Sequence, residues 1–76
     1  MNDEERELAI RTMREVFEKI GKAGVAEACG VKAPSVYSWE VCPAHHVLTL
    51  EAVAGVPRSF LRPDLYPGKM FDKKEG

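Results

Sequence analysis

The stretch that decides the fold is KAGVAEACGVKAPSVYSWEV, residues 22–41. Small and apolar residues recur in it at the spacings of two short helices joined by a tight turn. Ala26 is small enough for the second helix to cross closely, and Gly30 permits the positive φ that a sharp turn demands. The other members of the pattern form a core shared by the two helices: Val25, Cys29, Val31, Val36 and Trp39. The spacing predicts a helix-turn-helix unit, and the plainer alternative is an αα-hairpin in a bundle core.

Helix signals continue on both sides of this unit. Asn2 and Glu5 have the spacing of a capping box, and an apolar stripe follows as far as Gly21, so we expect a first helix over 3–20. The further elements expected are a helix over 23–29, one from Ala33, one from Pro43 to Gly55, and a last turn capped by Ser59 and ending at Leu61. No alternation of β type appears. The sequence therefore predicts an all-α domain of four to five short helices over 1–67, followed by a loose tail over 68–76.

The second helix of the unit, expected over about residues 33–40, leaves one side free of the shared core. A helix presented in this way can lie in the major groove of DNA, where side chains read base edges and neighbouring groups hold phosphates. The base-reading candidates are Lys32, Ala33, Tyr37 and Ser38. The backbone candidates are Lys22, Ser35, His46 and Arg58. Plain structural alternatives are a solvated Lys32, a Tyr37 packed against the fourth helix, and ion pairs of Arg58 and Arg62 with Glu51 and Asp64.

Longer runs outside the motif resemble a known family. GVKAPSVYSW (residues 30–39), Pro43-Ala44, Leu50-Glu51 and LRPDLYP (residues 61–67) occur in this order. In this they resemble the small Cro-like and YdaS-like regulators of bacteriophages and prophages, across roughly residues 20–67. The resemblance implies a lambda-repressor-like helix-turn-helix domain that binds a short double-stranded operator as a homodimer and represses transcription. Such a dimer fits an operator that is an inverted repeat.

The charge balance qualifies this expectation. The chain carries 11 Lys plus Arg against 12 Asp plus Glu, a net charge of −1, whereas phosphate binding is driven by cations. Residues 21–39 nevertheless contain Glu27 as their sole acid, as a surface facing phosphate requires. Residues 1–20 are acidic overall. The alternative function is therefore a helical protein-binding adaptor or antitoxin that uses the first helix and has weakened or lost DNA binding.

Length and composition exclude several other classes. A chain of 76 residues has no room for a second domain or a large catalytic pocket, so we expect no enzyme and no cofactor. Cys29 and Cys42 are expected to be free thiols, and a zinc site with His45 and His46 is disfavoured because Cys29 faces the core and the histidines diverge. No stretch is long and apolar enough to span a membrane. The acidic start is unlike a signal peptide, so a cytoplasmic location is expected.

Overall fold

The first helix begins with the expected cap. In the computed structural model, which describes residues 1–67, helix α1 spans Asp3–Cys29. The side chain of Asn2 accepts the backbone N–H of Glu5 at 2.8 Å, and the Glu5 carboxylate accepts the N–H of Asn2 at 3.0 Å. These reciprocal bonds satisfy two donors that the first turn of a helix leaves unpaired. The prediction of a capping box is confirmed.

Helix α1 is interrupted once, at Gly21. This residue has φ 75° and ψ 162°, a conformation that is essentially confined to glycine. The interruption divides α1 into an N-terminal segment (residues 3–20) and a C-terminal segment (residues 22–29). The two helices expected from the sequence therefore both form, but they follow each other directly and the second begins at Lys22.

Three shorter helices follow: α2 (Ala33–Tyr37), α3 (Val47–Ala54) and α4 (Arg58–Leu61). A 3-10 turn over Ala44–His46 precedes α3. Over residues 1–67 the chain is thus all-α, with no strand.

Helix α3 begins later than predicted. The carbonyl of Pro43 accepts the N–H of His46 at 3.0 Å, and this shorter hydrogen-bonding step opens the 3-10 turn in place of the first α-helical turn. The expected end is confirmed, since Gly55 lies in the left-handed region at φ 72° and its N–H donates to the Glu51 carbonyl.

Helix α4 is capped from a neighbouring helix. The expected cap, Ser59, lies inside α4, so that prediction is wrong. The carboxylate of Glu51 on α3 accepts the backbone N–H of Arg58 at 2.9 Å instead. A helix of four residues thereby obtains an acceptor for one of its free donors through tertiary structure.

Helix α1 packs against α2, α3 and α4 around one hydrophobic core. The largest fully buried side chains are Met13, Leu50, Leu61, Val16, Val25, Val36, Val47 and Cys42. Among residues 1–67 the sole buried polar side chain is Thr12, whose hydroxyl donates to the Leu8 carbonyl at 2.8 Å. No helix in this described part is long and apolar enough to cross a bilayer. The tail expected over 68–76 lies outside the described residues.

Candidate nucleic-acid interface

The turn between the C-terminal segment of α1 and α2 is built around Gly30. Its φ of 70° and ψ of 32° place it in the left-handed region. The N–H of Gly30 donates to the carbonyl of Glu27 at 3.3 Å, and the N–H of Val31 donates to the carbonyl of Ala26 at 3.0 Å. This pair of bonds is a Schellman motif, which ends a helix and redirects the chain. The turn predicted at Gly30 is present.

The residues expected to form the core of the motif differ in how deeply they are buried. Val25, Ala26 and Val36 are buried, so the C-terminal segment of α1 and α2 meet through small and branched side chains. Three others are half-buried and pack against this core: Cys29, Val31 and Trp39. Gly30 is exposed, which agrees with a role in backbone conformation.

Helix α2 is shorter than the sequence suggests. It ends at Tyr37, three residues before the expected limit of about 40. The hydroxyl of Ser38 donates to the Ser35 carbonyl at 2.8 Å, and the N–H of Trp39 donates to the Val36 carbonyl at 3.0 Å. These local bonds occupy carbonyls of the last turn, so the chain leaves the helix there.

The outward side of α2 carries most of the base-reading candidates. Tyr37 is 66% exposed, and Lys32 and Ser38 are exposed as well. Lys32 occupies the position before α2, and among residues 1–67 its ammonium group has no ion-pair partner. Ala33 is half-buried against the core, whereas Ser35 is exposed. Lys32, Tyr37, Ser38 and Ser35 are thus all accessible on one short helix and its ends.

Lys22 is held between two aromatic rings. Its ammonium nitrogen lies 5.3 Å from the centre of the Phe17 ring and 5.1 Å from the centre of the Tyr37 ring. Both distances are within the range of cation–π attraction. Lys22 thereby joins both segments of α1 to α2. This arrangement was not predicted from the sequence. Its signal there is a lysine five residues after a phenylalanine, across the glycine that interrupts the helix.

His46 packs against the aromatic side chain that follows α2. Its ring is stacked on Trp39 with a centroid separation of 5.5 Å, and the ring of His45 lies 4.0 Å away. Partial burial and then the neighbouring His45 lower the pKa of His46 below its ordinary value of 6.5. His46 is therefore neutral at pH 7, so it offers a phosphate no charge there.

The arginines near α4 pair within the fold. The guanidinium of Arg58 lies 3.3 Å from the Glu51 carboxylate and 5.7 Å from the centre of the Tyr66 ring. Arg62 donates to both carboxylate oxygens of Asp64, at 3.0 and 2.9 Å, and to the Cys42 carbonyl at 3.1 Å. Both arginines therefore form the ion pairs within the fold that were the alternative to a phosphate contact of Arg58.

Another contact missed from the sequence joins α1 to the chain after α2. The guanidinium of Arg6 donates to the carboxylate of Glu40. Both side chains are more than half exposed, so the pair adds little stability. The ion pair does neutralise Glu40, the acidic residue that is closest in sequence to α2.

The thiols and imidazoles have no geometry for metal binding in the described part of the chain. Among residues 1–67, no three side chains of the ligating types converge. Burial raises the pKa of the Cys42 thiol to about 12, with nearby Cys29 adding to the rise and Arg62 opposing it. Burial also raises the pKa of Cys29. Both thiols are free and protonated at neutral pH.

Comparisons of this chain with protein-family models, with curated proteins and with solved structures found no match.

Proposed function

We propose that this protein is a sequence-specific double-stranded-DNA-binding transcriptional regulator, a repressor of the Cro type. In this proposal the C-terminal segment of α1, the turn at Gly30 and α2 form a helix-turn-helix unit in a lambda-repressor-like domain. The observation that carries the proposal is the left-handed Gly30 turn, with buried Val25, Ala26 and Val36 between the two helices. Such a turn presents one side of the second helix to a partner.

The side chains on that side support DNA as the partner. Lys32 lies at the start of α2, where an ammonium group can donate to guanine O6 or N7. Tyr37 and Ser38 lie at its other end and can contact a thymine methyl group, a base edge or a phosphate. Ala33 completes the proposed base-reading set. Since Ala33 and Pro34 offer no side-chain hydrogen bond, part of the specificity would come from DNA shape.

Phosphate contacts are assigned to the residues that flank this set. Lys22 is exposed and lies beside Tyr37, at the end of α2. Ser35 is exposed on α2 itself. Arg58 and His46 would have to leave Glu51 and Trp39, respectively, before they could reach a phosphate. We therefore place Lys22 and Ser35 first among the backbone contacts.

The experiment is a selection of randomised duplex DNA on the full chain, followed by fluorescence anisotropy of the enriched sequence at several salt concentrations. We expect an inverted repeat and a log–log salt slope of about −4 or steeper, as several phosphate contacts by two copies require. No enrichment, and no retention on DNA even at about 50 mM salt, would refute the proposal.

Two variants separate base reading from a general effect of charge. Lys32→Ala should relax the base preference at one position, with a cost of about 1–3 kcal/mol for the preferred base. Arg11→Ala removes the same charge from the part of α1 that faces α4. It should leave the base preference unchanged. Equal effects of both variants would show that Lys32 acts only through its charge.

The second candidate function is a protein-binding adaptor or an antitoxin. Its supporting observations are the net charge of −1 and the acids exposed on the first turns of α1: Asp3, Glu4 and Glu7. A heparin or DNA column at low salt discriminates between the candidates, because an adaptor that has lost its DNA affinity would pass through without delay. A repressor would be retained and would elute as salt is raised.

A further inference from the structure

The segment that contains α3 is unusually poor in charge. Charged residues make up 30% of the chain, yet Glu51 is the one Asp, Glu, Lys or Arg among residues 43–57, all of which the structure describes. Glu51 is half-buried and bound to Arg58. Within residues 43–57 no other charged side chain can reach the solvent side of α3. From α1, the ammonium group of Lys19 donates to the Ala54 carbonyl at the C-terminal end of α3, outside the row of residues 48–53.

Helix α3 has apolar residues on opposite faces. Its inner face buries Val47, Leu50 and Ala54 in the core. Its outer face presents Leu48, which is 53% exposed, and Val53, which is 52% exposed, together with Ala52 and Thr49. A surface helix ordinarily has charged and polar residues opposite its buried stripe, whereas a helix that is apolar all round is covered on both sides.

We propose that the outer face of α3, formed by Leu48, Thr49, Ala52 and Val53, is the surface on which a second copy of this chain docks. The proposal extends the function proposed above, from which it takes the expectation of a dimer, and it adds the surface that forms it. The two copies are related by a two-fold axis, so that each α3 packs against the other.

The charge distribution favours a second copy over a charged segment as the occupant. In a two-fold contact the same patch lies on both sides, so an acid or base near the axis would meet its own kind. An uncharged face carries no such penalty. The C-terminal residues 68–76, the alternative within the chain, combine Met70 and Phe71 with five charged residues, Lys69, Asp72, Lys73, Lys74 and Glu75. A segment of that composition loses much of its hydration when it covers an apolar face.

The size of the face predicts a weak dimer. An α-helix of eight residues is about 12 Å long, so each copy can bury on the order of 300 Å² there. A stable interface buries about 800 Å² on each partner. We therefore expect dissociation constants from about 0.1 mM to about 1 mM in solution.

The test is analytical ultracentrifugation of the full chain without DNA, from about 10 µM to about 1 mM. The average mass should rise from that of a monomer toward that of a dimer over this range. Leu48→Lys and Val53→Lys should each raise the dissociation constant at least about tenfold, because each variant brings two like charges to the two-fold contact.

Phe60→Lys is the matched control. Phe60 is 46% exposed on α4, and it borders a groove formed with Leu8, Thr12 and Glu15 of α1. The same substitution there should change the dissociation constant less than about twofold. Far-UV circular dichroism should show unchanged helicity in all three variants, because each of these side chains is about half in solvent.

Three results would overturn the assignment: a wild-type chain that stays monomeric throughout, α3 variants that associate as the wild type does, or a control that weakens association equally. The outcome is separable from that of the DNA selection. Association through α3 without DNA enrichment would refute the regulator alone. A chain that enriches a single half-site while remaining monomeric would refute this surface alone.

Discussion

Glu51 and Arg58 connect α3 to α4 through two kinds of contact made by one carboxylate. Oxygen Oε2 of Glu51 accepts the backbone N–H of Arg58 at 2.9 Å, and Oε1 lies 3.3 Å from the Arg58 side-chain nitrogen Nε. The backbone bond satisfies a free donor at the start of α4, and the charge lies favourably at the positive end of that helix. The start of α4 therefore depends on a residue seven positions earlier.

Replacing Glu51 should destabilise the fold. Glu51→Ala removes both contacts and should lower the free energy of unfolding by about 0.5–2 kcal/mol, the range observed for loss of a helix cap. Glu51→Gln retains an acceptor for the Arg58 N–H and should cost about half as much. Urea unfolding followed by circular dichroism measures both values. Glu18→Ala, at an exposed position on α1, should lie within about 0.5 kcal/mol of the wild type.

The two interruptions of helical structure at Gly30 and Gly21 should respond differently to asparagine. Gly30 is in the ordinary left-handed region, so Gly30→Ala should cost about 1–2 kcal/mol and Gly30→Asn clearly less, since asparagine tolerates that region. Gly21 has ψ 162°, where asparagine gains no such advantage. Gly21→Asn should therefore be as damaging as Gly21→Ala. Thermal unfolding of the four variants tests this, and rescue by asparagine at both sites would contradict it.

The stacking of Lys22 on Tyr37 should appear as a coupling energy. Lys22→Met keeps the length of the side chain and removes its charge, and Tyr37→Leu removes the ring. A double-mutant cycle should give a coupling of about 0.5–1 kcal/mol, the magnitude of an exposed cation–π contact. Lys22→Arg should retain most of it. Additive single effects would show that the Tyr37 ring does not hold the ammonium group.

Asp64 should make the fold sensitive to acid. The hydrogen bonds from Arg62, aided by its charge, lower the pKa of the Asp64 carboxyl below its ordinary value of 3.8. Since the unfolded chain keeps that ordinary value, the stabilisation is present above about pH 4 and is lost as the pH falls through the folded pKa. Asp64→Asn should cost about 1 kcal/mol at pH 7, and the stabilities of the two proteins should converge as the pH falls below the folded pKa of Asp64. A difference that is constant with pH would contradict this origin.

The sequence predicted local structure where a residue determines the backbone conformation or hydrogen bonding within a few positions of itself. The Asn2 cap and the glycines at 21, 30 and 55 were identified because capping and positive φ depend on single residues at fixed offsets. The start of α4 was missed, because its cap comes from Glu51 on another helix. Helix α3 was predicted to begin too early, since the signal of a proline does not distinguish a 3-10 turn from an α-helical one.

The candidate interface was predictable to a similar extent. Outward positions on α2 follow from periodicity, so Lys32 and Tyr37 could be named from the sequence, and both are exposed. The stacking of Lys22 between Phe17 and Tyr37 depends on the direction that the chain takes after Gly21, which periodicity does not contain. Charge pairs such as Arg6 with Glu40 depend on tertiary distance in the same way.

The break at Gly21 has a consequence for how this chain can change. In a continuous α-helix each residue is rotated by about 100° about the helix axis from the residue before it. One inserted residue therefore rotates all residues on one side of it by about 100° relative to those on the other side. At φ 75° and ψ 162° the backbone leaves the helical path, so residues 22–29 do not continue the angular phase of residues 3–20. An insertion near the start of α1 would reorient the residues before it relative to the core, while residues 22–37 would keep their orientation toward the core. The acidic end of the molecule and the outward side of α2 can thus diversify separately, with a single glycine as the boundary between them.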